Sequence, residues 1–479
     1  MSMIRRKAHI PTGNRYTVTT SQMVQPSLES SRRRSLLIIL LLVTSAVLVM
    51  AAIAMASYLL ISPATHKSVT TAQKHTIVSP VSDGVQSQVT ASAQQFMNAL
   101  IQGQYDEDWS SLAPQIQAKW PDQQAFSHYL KKRFDGYMLK GFTLGQVQAL
   151  TYWVDPETMI RYDNVVVIPT VLQIESQIPP AQRAQLAPQF QQSDQLYQHV
   201  PLIMQRQPDA GDGGKDRWAV LSAGPADPEA PILPPLHPAY KVVRVPILMY
   251  HHISDVPTKN LLDFSLTIKG TTFNQQLDFL RQQGYHSITL NELMDALYFD
   301  MPMPSKPIIF TFDDGYDDAY AYAYPILKAH GYSGMFYIIT GKVGWQGQAT
   351  WEQLRDMLAN GMQIGSHTIH HVEMGSVYRA SPQQARQEAQ ISQQTLQQHL
   401  GIVIQHFCYP NGSPFKNPRE SVLRDKIVSL LAKSGYIDAT TDPGPTGIVQ
   451  DSRLPFMLLR LRIDGRESLK AFENVLRGL

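Results

Sequence analysis

From residue 245 to the C-terminus, short apolar runs alternate with amphipathic stretches. The runs at 245–250, 286–289, 307–312, 335–340, 362–366, 404–409, 436–440 and 457–463 are nearly continuous, as expected of strands covered on both faces. Helical spacing separates them. Over 382–400, Ala385, Ala389, Leu396 and Leu400 fall on one face, with Ser381 placed as N-cap, Pro382 in the first turn and Gly401 beyond the end. Repeated strand–helix units with right-handed crossovers predict a parallel sheet, and eight of them approach a closed barrel. His251, Asp313, Asp314, His367, His371, Tyr409 and Asp442 then sit at or just beyond the carboxyl ends of strands, where an α/β barrel carries its chemistry.

Upstream, the period changes twice. Ala93, Phe96, Met97, Leu100 and Ile101 are at helical spacing, and 123–134 repeats the pattern; strand-like runs follow at 142–152, 164–174, 196–205 and 218–223. Helices followed by a meander of long strands predict a smaller α+β domain over 88–223. This element order is similar to that of nuclear transport factor 2-like, cone-shaped domains, and a spacer or binding role is expected. Residues 224–244, with Pro225, Pro228, Pro231, Pro234, Pro235 and Pro238, read as an extended, semi-rigid linker to the domain at 245–479.

Residues 36–61 hold no charge, and as a helix their 26 residues would span ~39 Å, against roughly 30 Å of hydrocarbon. The segment before them, 1–35, carries Arg5, Arg6, Lys7, Arg15 and Arg32 to Arg34 against Glu29 alone. A single-pass transmembrane helix with a cytoplasmic basic N-terminus and everything after residue 62 outside the cell is the expectation. A cleaved signal peptide is the competing reading, since Ala54-Met55-Ala56 has the small-x-small form. Residues 62–87, rich in Ser, Thr, Val and Gln, then tether the first domain. A formal net charge of +2 gives no sign of a nucleic-acid partner. With Cys408 as the single cysteine, the exported part contains no intramolecular disulfide and relies on its cores.

The candidate chemistry begins where the 307–312 run stops at Asp313-Asp314-Gly315. Asp-Asp-Gly alone is an ordinary turn signal. Two adjacent carboxylates at a strand end repel, however, unless a cation or proton divides their roles, which reads as one metal ligand beside one proton acceptor. Gly365-Ser366-His367-Thr368-Ile369-His370-His371 supplies partners: His367 and His371, four apart, share a face on one helical turn. One Asp and two His form a facial triad with open positions, as in a catalytic site.

These residues resemble the polysaccharide deacetylase family, carbohydrate esterase family 4, also called the nodulation protein B homology domain. Thr311-Phe312-Asp313-Asp314-Gly315 is similar to its first motif and His367-Thr368-Ile369-His370-His371 to its second; Ile247-Leu248-Met249-Tyr250-His251-His252 and Thr350-Trp351-Glu352-Gln353-Leu354 resemble an extracellular branch. The resemblance implies a distorted (β/α)7-type barrel that removes acetyl groups from N-acetylated sugars. It implies Asp313 as general base and Asp314, His367 and His371 as ligands of a divalent ion, usually zinc. His370 competes with His371 as ligand; the family spacing favours His371 and leaves His370 as a pocket residue. The substrate expected is an N-acetylglucosamine-containing polymer, peptidoglycan or exopolysaccharide. A non-catalytic polysaccharide-binding protein and an O-acetyl esterase are the alternatives.

Three departures stand out. Where the family's third motif commonly has an arginine that holds the base, this chain has Cys408-Tyr409-Pro410-Asn411-Gly412. Arg460 or Arg462, on one face of the last strand by alternation, can substitute. Arg460 is favoured, as its surroundings look more like the later-strand arginine of the branch lacking the third-motif arginine. Tyr409, Pro410 and Asn411 are expected to line the substrate or to supply a backbone oxyanion donor. The fifth motif's usual histidine is replaced by Gly465, leaving Asp464, His251 and His252 as candidate acids; Asp442 is read mainly as a turn residue. Cys408 is read as a small residue filling the missing arginine's space rather than as a nucleophile paired with His406.

Overall fold

The computed structural model describes residues 77–183, 195–208, 217–236, 240–256, 260–441 and 446–477. The segment 36–61 and Asp442 lie outside them, and among the described residues no helix is long and apolar enough to cross a membrane.

The N-terminal part begins with strand β1 (Ile77–Pro80) and helix α1 (Asp83–Gln102). Val89, Ala93, Phe96, Met97 and Leu100 form the buried face of α1, and Gly103, at φ 68°, closes it in the left-handed conformation that glycine adopts freely. The helix starts earlier than its apolar period shows, because its first turns carry Gln and Ser in place of core residues. Helix α2 (Gln123–Arg133) is capped by Asp122, whose carboxylate accepts from the Ala125 N–H at 2.8 Å. Strands β2 (Tyr137–Leu144), β3 (Gln148–Leu150), β4 (Val165–Ser176), β5 (Gln195–Gln207) and β6 (Arg217–Ala223) complete an antiparallel sheet in the order β1–β3–β4–β5–β6, with β2 also on β4. The run expected as one strand over 142–152 is broken, because at Gly145 the chain leaves β2, its N–H donating to the Pro169 carbonyl at 2.7 Å.

The C-terminal part is an α/β barrel-like domain. Its strands are β7 (Ile247–Tyr250), β8 (His286–Ser287), β9 (Pro307–Phe312), β10 (Met335–Ile338), β11 (Gln363–Ser366), β12 (His406–Cys408), β13 (Asp438–Thr440) and β14 (Leu461–Arg462). They pair in parallel in the order β13–β12–β11–β10–β9–β7–β14, with β8 against the start of β9. The sheet curls until its ends meet: the Leu458 N–H donates to the Ala439 carbonyl at 2.9 Å, and the Thr441 N–H to the Leu458 carbonyl at 3.1 Å. The apolar run expected as a strand over 457–463 is therefore mostly irregular; Pro455 opens a short 3-10 turn before it. Helix α3 (Leu290–Phe299) carries a full capping box, Thr289 with Glu292, and helix α4 (Pro382–Leu400) is capped by the Ser381 hydroxyl accepting from the Gln384 N–H at 3.2 Å.

The proline-rich segment, expected as an extended, semi-rigid linker, is packed. Pro225, Ala226, Ala230, Ile232 and Leu233 are buried, and the Ile232 backbone exchanges two hydrogen bonds with the Gln405 side chain at 2.9 and 3.0 Å. Glu229 accepts from the Gln363 amide at 3.1 Å and from the Thr289 hydroxyl. Since Gln363 and Gln405 stand at the amino ends of β11 and β12, the segment is clamped against the floor of the barrel. There Arg133 of α2 meets Asp295 of α3 at 2.6 Å, Tyr129 donates to the same carboxylate at 3.0 Å, and Arg133 also donates to the Ala230 carbonyl at 2.9 Å. Three carboxylate and carbonyl partners satisfy a guanidinium that could not otherwise be buried.

Candidate metal and catalytic centre

The centre lies at the carboxyl ends of β9, β11, β12 and of the segment entering β14. β9 ends where the Asp313 N–H donates to the Tyr250 carbonyl of β7 at 3.0 Å, and the next two residues, Asp314 (φ 75°) and Gly315 (φ 72°), both take left-handed backbone. Aspartate is among the few non-glycine residues that take that region readily, and the turn aims its carboxylate at the histidines. Asp314 Oδ1 lies 3.4 Å from His367 Nε2 and 3.1 Å from His371 Nε2.

His367 and His371 do not occupy the helical turn expected from their spacing. Thr368 (φ 66°) and His371 (φ 58°) fold the stretch into a non-helical loop that still brings both rings together, with centroids 5.0 Å apart. Glu388 of α4 holds this loop: its Oε2 accepts from the N–H groups of Ile369 and His370 at 3.0 and 3.1 Å, and its Oε1 meets His370 Nδ1 at 2.7 Å. His370 is thereby turned toward Glu388 and out of the group formed by Asp314, His367 and His371. Glu388 went unnoticed in the sequence, although a buried acid between Ala385 and Ala389 on the apolar face of α4 was a readable signal.

The three ligand atoms fit a divalent ion. Asp314 Oδ1 is buried and accepts no well-formed hydrogen bond, while His367 Nδ1 lies 2.9 Å from the Cys408 carbonyl. A carbonyl only accepts, so Nδ1 bears the hydrogen and Nε2 presents its lone pair toward Asp314. Burial opposes charge on Asp314, yet the His367 and His371 rings against it hold its carboxyl well below the usual range. A second grouping, Asp313, His367 and Cys408, is equally compact, but the Arg460 guanidinium already bonds both its carboxylate and its sulfur.

Arg460 is 1% exposed and forms a fork with Asp313, Nη1 to Oδ1 and Nη2 to Oδ2, both at 2.8 Å. It also donates to the Thr311 hydroxyl at 3.1 Å and the Thr441 carbonyl at 3.2 Å, and reaches Cys408 Sγ at 3.3 Å. Cys408 occupies the space beside this fork. Burial works against charge on Asp313, and Arg460 more than offsets it, so the carboxyl stays below its ordinary value. Arg462 is exposed and makes no such contact.

The remaining candidates divide. His251 faces Asp313, Asp314, Arg460 and Arg462, and burial pushes its pKa down to about 4. His252 Nδ1 is engaged by Asp318 at 2.6 Å, and its ring stacks on Tyr316 at 3.6 Å between centroids. Tyr316 was not singled out by sequence; burial first and then the neighbouring Asp314 carboxylate raise its pKa. Asp464, a candidate acid by sequence, is paired with Arg466, which lowers its pKa and makes it an anion unable to donate at neutral pH. Tyr409 is buried against Phe407 and Phe415, and its N–H donates to the Thr440 carbonyl at 3.2 Å. Pro410 has no N–H, so of the expected oxyanion stretch only Asn411, exposed and at φ 53°, keeps that role open. Asp442 falls outside the described residues.

The family model for polysaccharide deacetylases matches residues 300–428. A Bacillus subtilis (strain 168) protein described as a polysaccharide deacetylase, YxkH, is 30% identical over 233 residues, which are 48% of this chain and 76% of that protein. The poly-beta-1,6-N-acetyl-D-glucosamine N-deacetylase of Escherichia coli (strain K12) is 23% identical over 137 residues, 25% of this chain and 20% of its own length. Among solved structures, the Streptococcus pyogenes deacetylase PplD in complex with acetate is 27% identical, covers 50% of this chain and 98% of its own, and superposes with a TM-score of 0.43.

Proposed function

The chain belongs to the polysaccharide deacetylase family, and from that premise we propose that it hydrolyses the N-acetyl groups of an N-acetylglucosamine-containing polysaccharide with a divalent ion, zinc by preference, at Asp314, His367 and His371. The observation that carries this reading is the fork from Arg460 to Asp313, which restores a fixed, ionised base beside three converging ligand atoms where the family's usual arginine is missing. An ion held there supplies Lewis-acid charge for the acetyl carbonyl. Asp313 accepts the proton of the attacking water, and Arg460 keeps it charged and aimed until then. The departing amine needs a proton. Asp464 is ionised, His251 is neutral near pH 7 and His252 is engaged by Asp318, so the protonated Asp313, a far stronger acid than an ammonium group, returns the proton it took.

The same proposal includes the finer architecture: a distorted (β/α)7 barrel behind a nuclear transport factor 2-like domain, anchored through residues 36–61 with the catalytic domain outside the membrane. Fractionation of cells and protease treatment of intact cells test the anchor; recovery of the full chain in the cytoplasm rejects it. Acetate release from poly-β-1,6-N-acetylglucosamine, peptidoglycan and O-acetylated xylan, with and without chelator, tests the chemistry. Release from the N-acetylated polymers that chelator abolishes is the expected result, and release from xylan alone assigns an O-acetyl esterase instead.

A further inference from the structure

We propose that the groove between α1 and the β2–β3 turn of the N-terminal domain is a second carbohydrate site, one that holds an uncharged glycan chain. This rests on the polysaccharide reading above for the ligand's identity, though the groove is argued on its own residues. Gln86, Thr90 and Gln94 stand four apart along α1 and so share a face, while Phe142 and Thr143 of β2 form the opposite wall of a groove of about 550 Å³. That is within the range of ordinary ligand pockets. The backbone at Gly145 closes one end: its N–H is bonded to the Pro169 carbonyl, and a Cβ there would lie 3.0 Å from the proline ring.

The chemistry of the walls selects the ligand. None of the lining residues is charged, and Asp83 is the sole ionisable side chain in all of α1. The outer face of a surface helix ordinarily mixes charged and polar residues; the groove-facing stripe here is amides and a hydroxyl alone. Among the described residues, the Gln86, Thr90 and Gln94 side chains make no hydrogen bond. Each amide offers two donors and an acceptor, and the hydroxyl offers one of each, which matches the hydroxyl and acetamido groups of a neutral sugar. Phe142, half-buried, offers apolar surface to the C–H face of a pyranose. An anionic polymer or nucleic acid would find no cation here, and a charged peptide would lose hydration without a partner.

The N-terminal domain contacts the barrel floor through α2 and the proline-rich segment, whereas the catalytic groups stand at the strands' carboxyl ends. The two sites therefore meet different stretches of one polymer. Holding one stretch raises the effective concentration of the other at the centre.

The test compares a long soluble poly-β-1,6-N-acetylglucosamine with its tetramer, on the metal-loaded full chain. Gln86→Ala combined with Gln94→Ala, and separately Thr90→Glu, are expected to raise KM for the polymer about ten-fold with kcat unchanged, through lost hydrogen bonds and lost tethering. Tetramer kinetics stay at the parent's values, which also reports that the variants fold. A polymer KM within about two-fold of the parent in both variants overturns the site. If the parent turns over neither ligand, the substrate reading fails, and affinity electrophoresis in polymer-containing gels decides the groove alone. Retardation of the parent that both variants lose supports it; equal retardation in parent and variants, or none, rejects it.

Discussion

Replacing Arg460 by leucine tests the centre most directly, because the guanidinium is buried at 1% exposure and its fork to Asp313 is matched by bonds to Thr311, Thr441 and Cys408. Leucine fills part of the volume and leaves the Asp313 carboxylate buried without its guanidinium partner. Breaking one side of such a pair costs about 3–5 kcal/mol, out of a total of roughly 5–15 kcal/mol for a typical fold, so the variant is weakened but still folded. For the reaction, two effects add. The base loses its aim, for which a displacement of about 1 Å costs on the order of a hundredfold, and burial, no longer opposed, raises its carboxyl pKa. Since Asp313 acts as the anion, the acid limb of the pH–rate profile moves to higher pH. Acetate release measured across pH, with metal content read by mass spectrometry, separates these outcomes: kcat falls about a hundredfold, the acid limb shifts upward, and the ion remains bound. Arg462→Leu, at an exposed position, leaves all three near the parent's values. Retention of kcat within about threefold in Arg460→Leu, with the acid limb unmoved and metal in place, refutes the assignment.

Further outcomes follow from the same geometry. Asp314→Ala and His367→Ala lose the bound ion on desalting, whereas Asp313→Asn keeps it and loses turnover; equal metal loss in all three contradicts the division of roles. Glu388→Ala frees the loop that carries His371 and lowers metal affinity by about 10- to 100-fold, as competition with a chelating dye would measure; unchanged affinity shows the loop holds itself. Burial pushes the Glu229 carboxyl up to about 8, so the folded chain keeps a proton that the unfolded chain gives up above about pH 4.3. Stability therefore declines as pH rises between those values; the melting temperature falls from about pH 6 to about pH 8.5, and Glu229→Gln flattens that slope, whereas a parallel decline in the variant assigns it elsewhere.

The parts legible in the sequence are those where a local rule and the fold agree. The apolar run of β9, stopped by two carboxylates, and α4, with its serine cap and terminal glycine, depend on neighbours a few residues away. What could not be read depends on curvature and depth. Spacing placed His367 and His371 on a helix, but two left-handed residues join them through a loop fixed by Glu388, which stands a whole helix further along the chain. Alternation put Arg460 and Arg462 on one face, and only the curled sheet decides that the first is inside and the second at the rim. The prolines of 224–244 read as an extended, semi-rigid linker, and composition cannot show that Gln363 and Gln405 bond the segment at the barrel floor.

The arginine that aims the base arrives from residue 460, on the last stretch of chain to enter the sheet, whereas the base itself and all three ligands lie between residues 313 and 371. During synthesis the proposed ligands, with the Glu388 and Cys408 groups that hold them, are thus all in the chain some fifty residues before Asp313 has its partner. On the proposed roles a growing chain would carry all three ligands and still be chemically silent, because Asp313 lacks its guanidinium partner until β14 and the segment before it close the ring. The switch from unarmed to armed is written into the order of the strands, and any lesion that prevents the final strand from docking leaves a centre with its ligand side chains but without the arginine that aims Asp313.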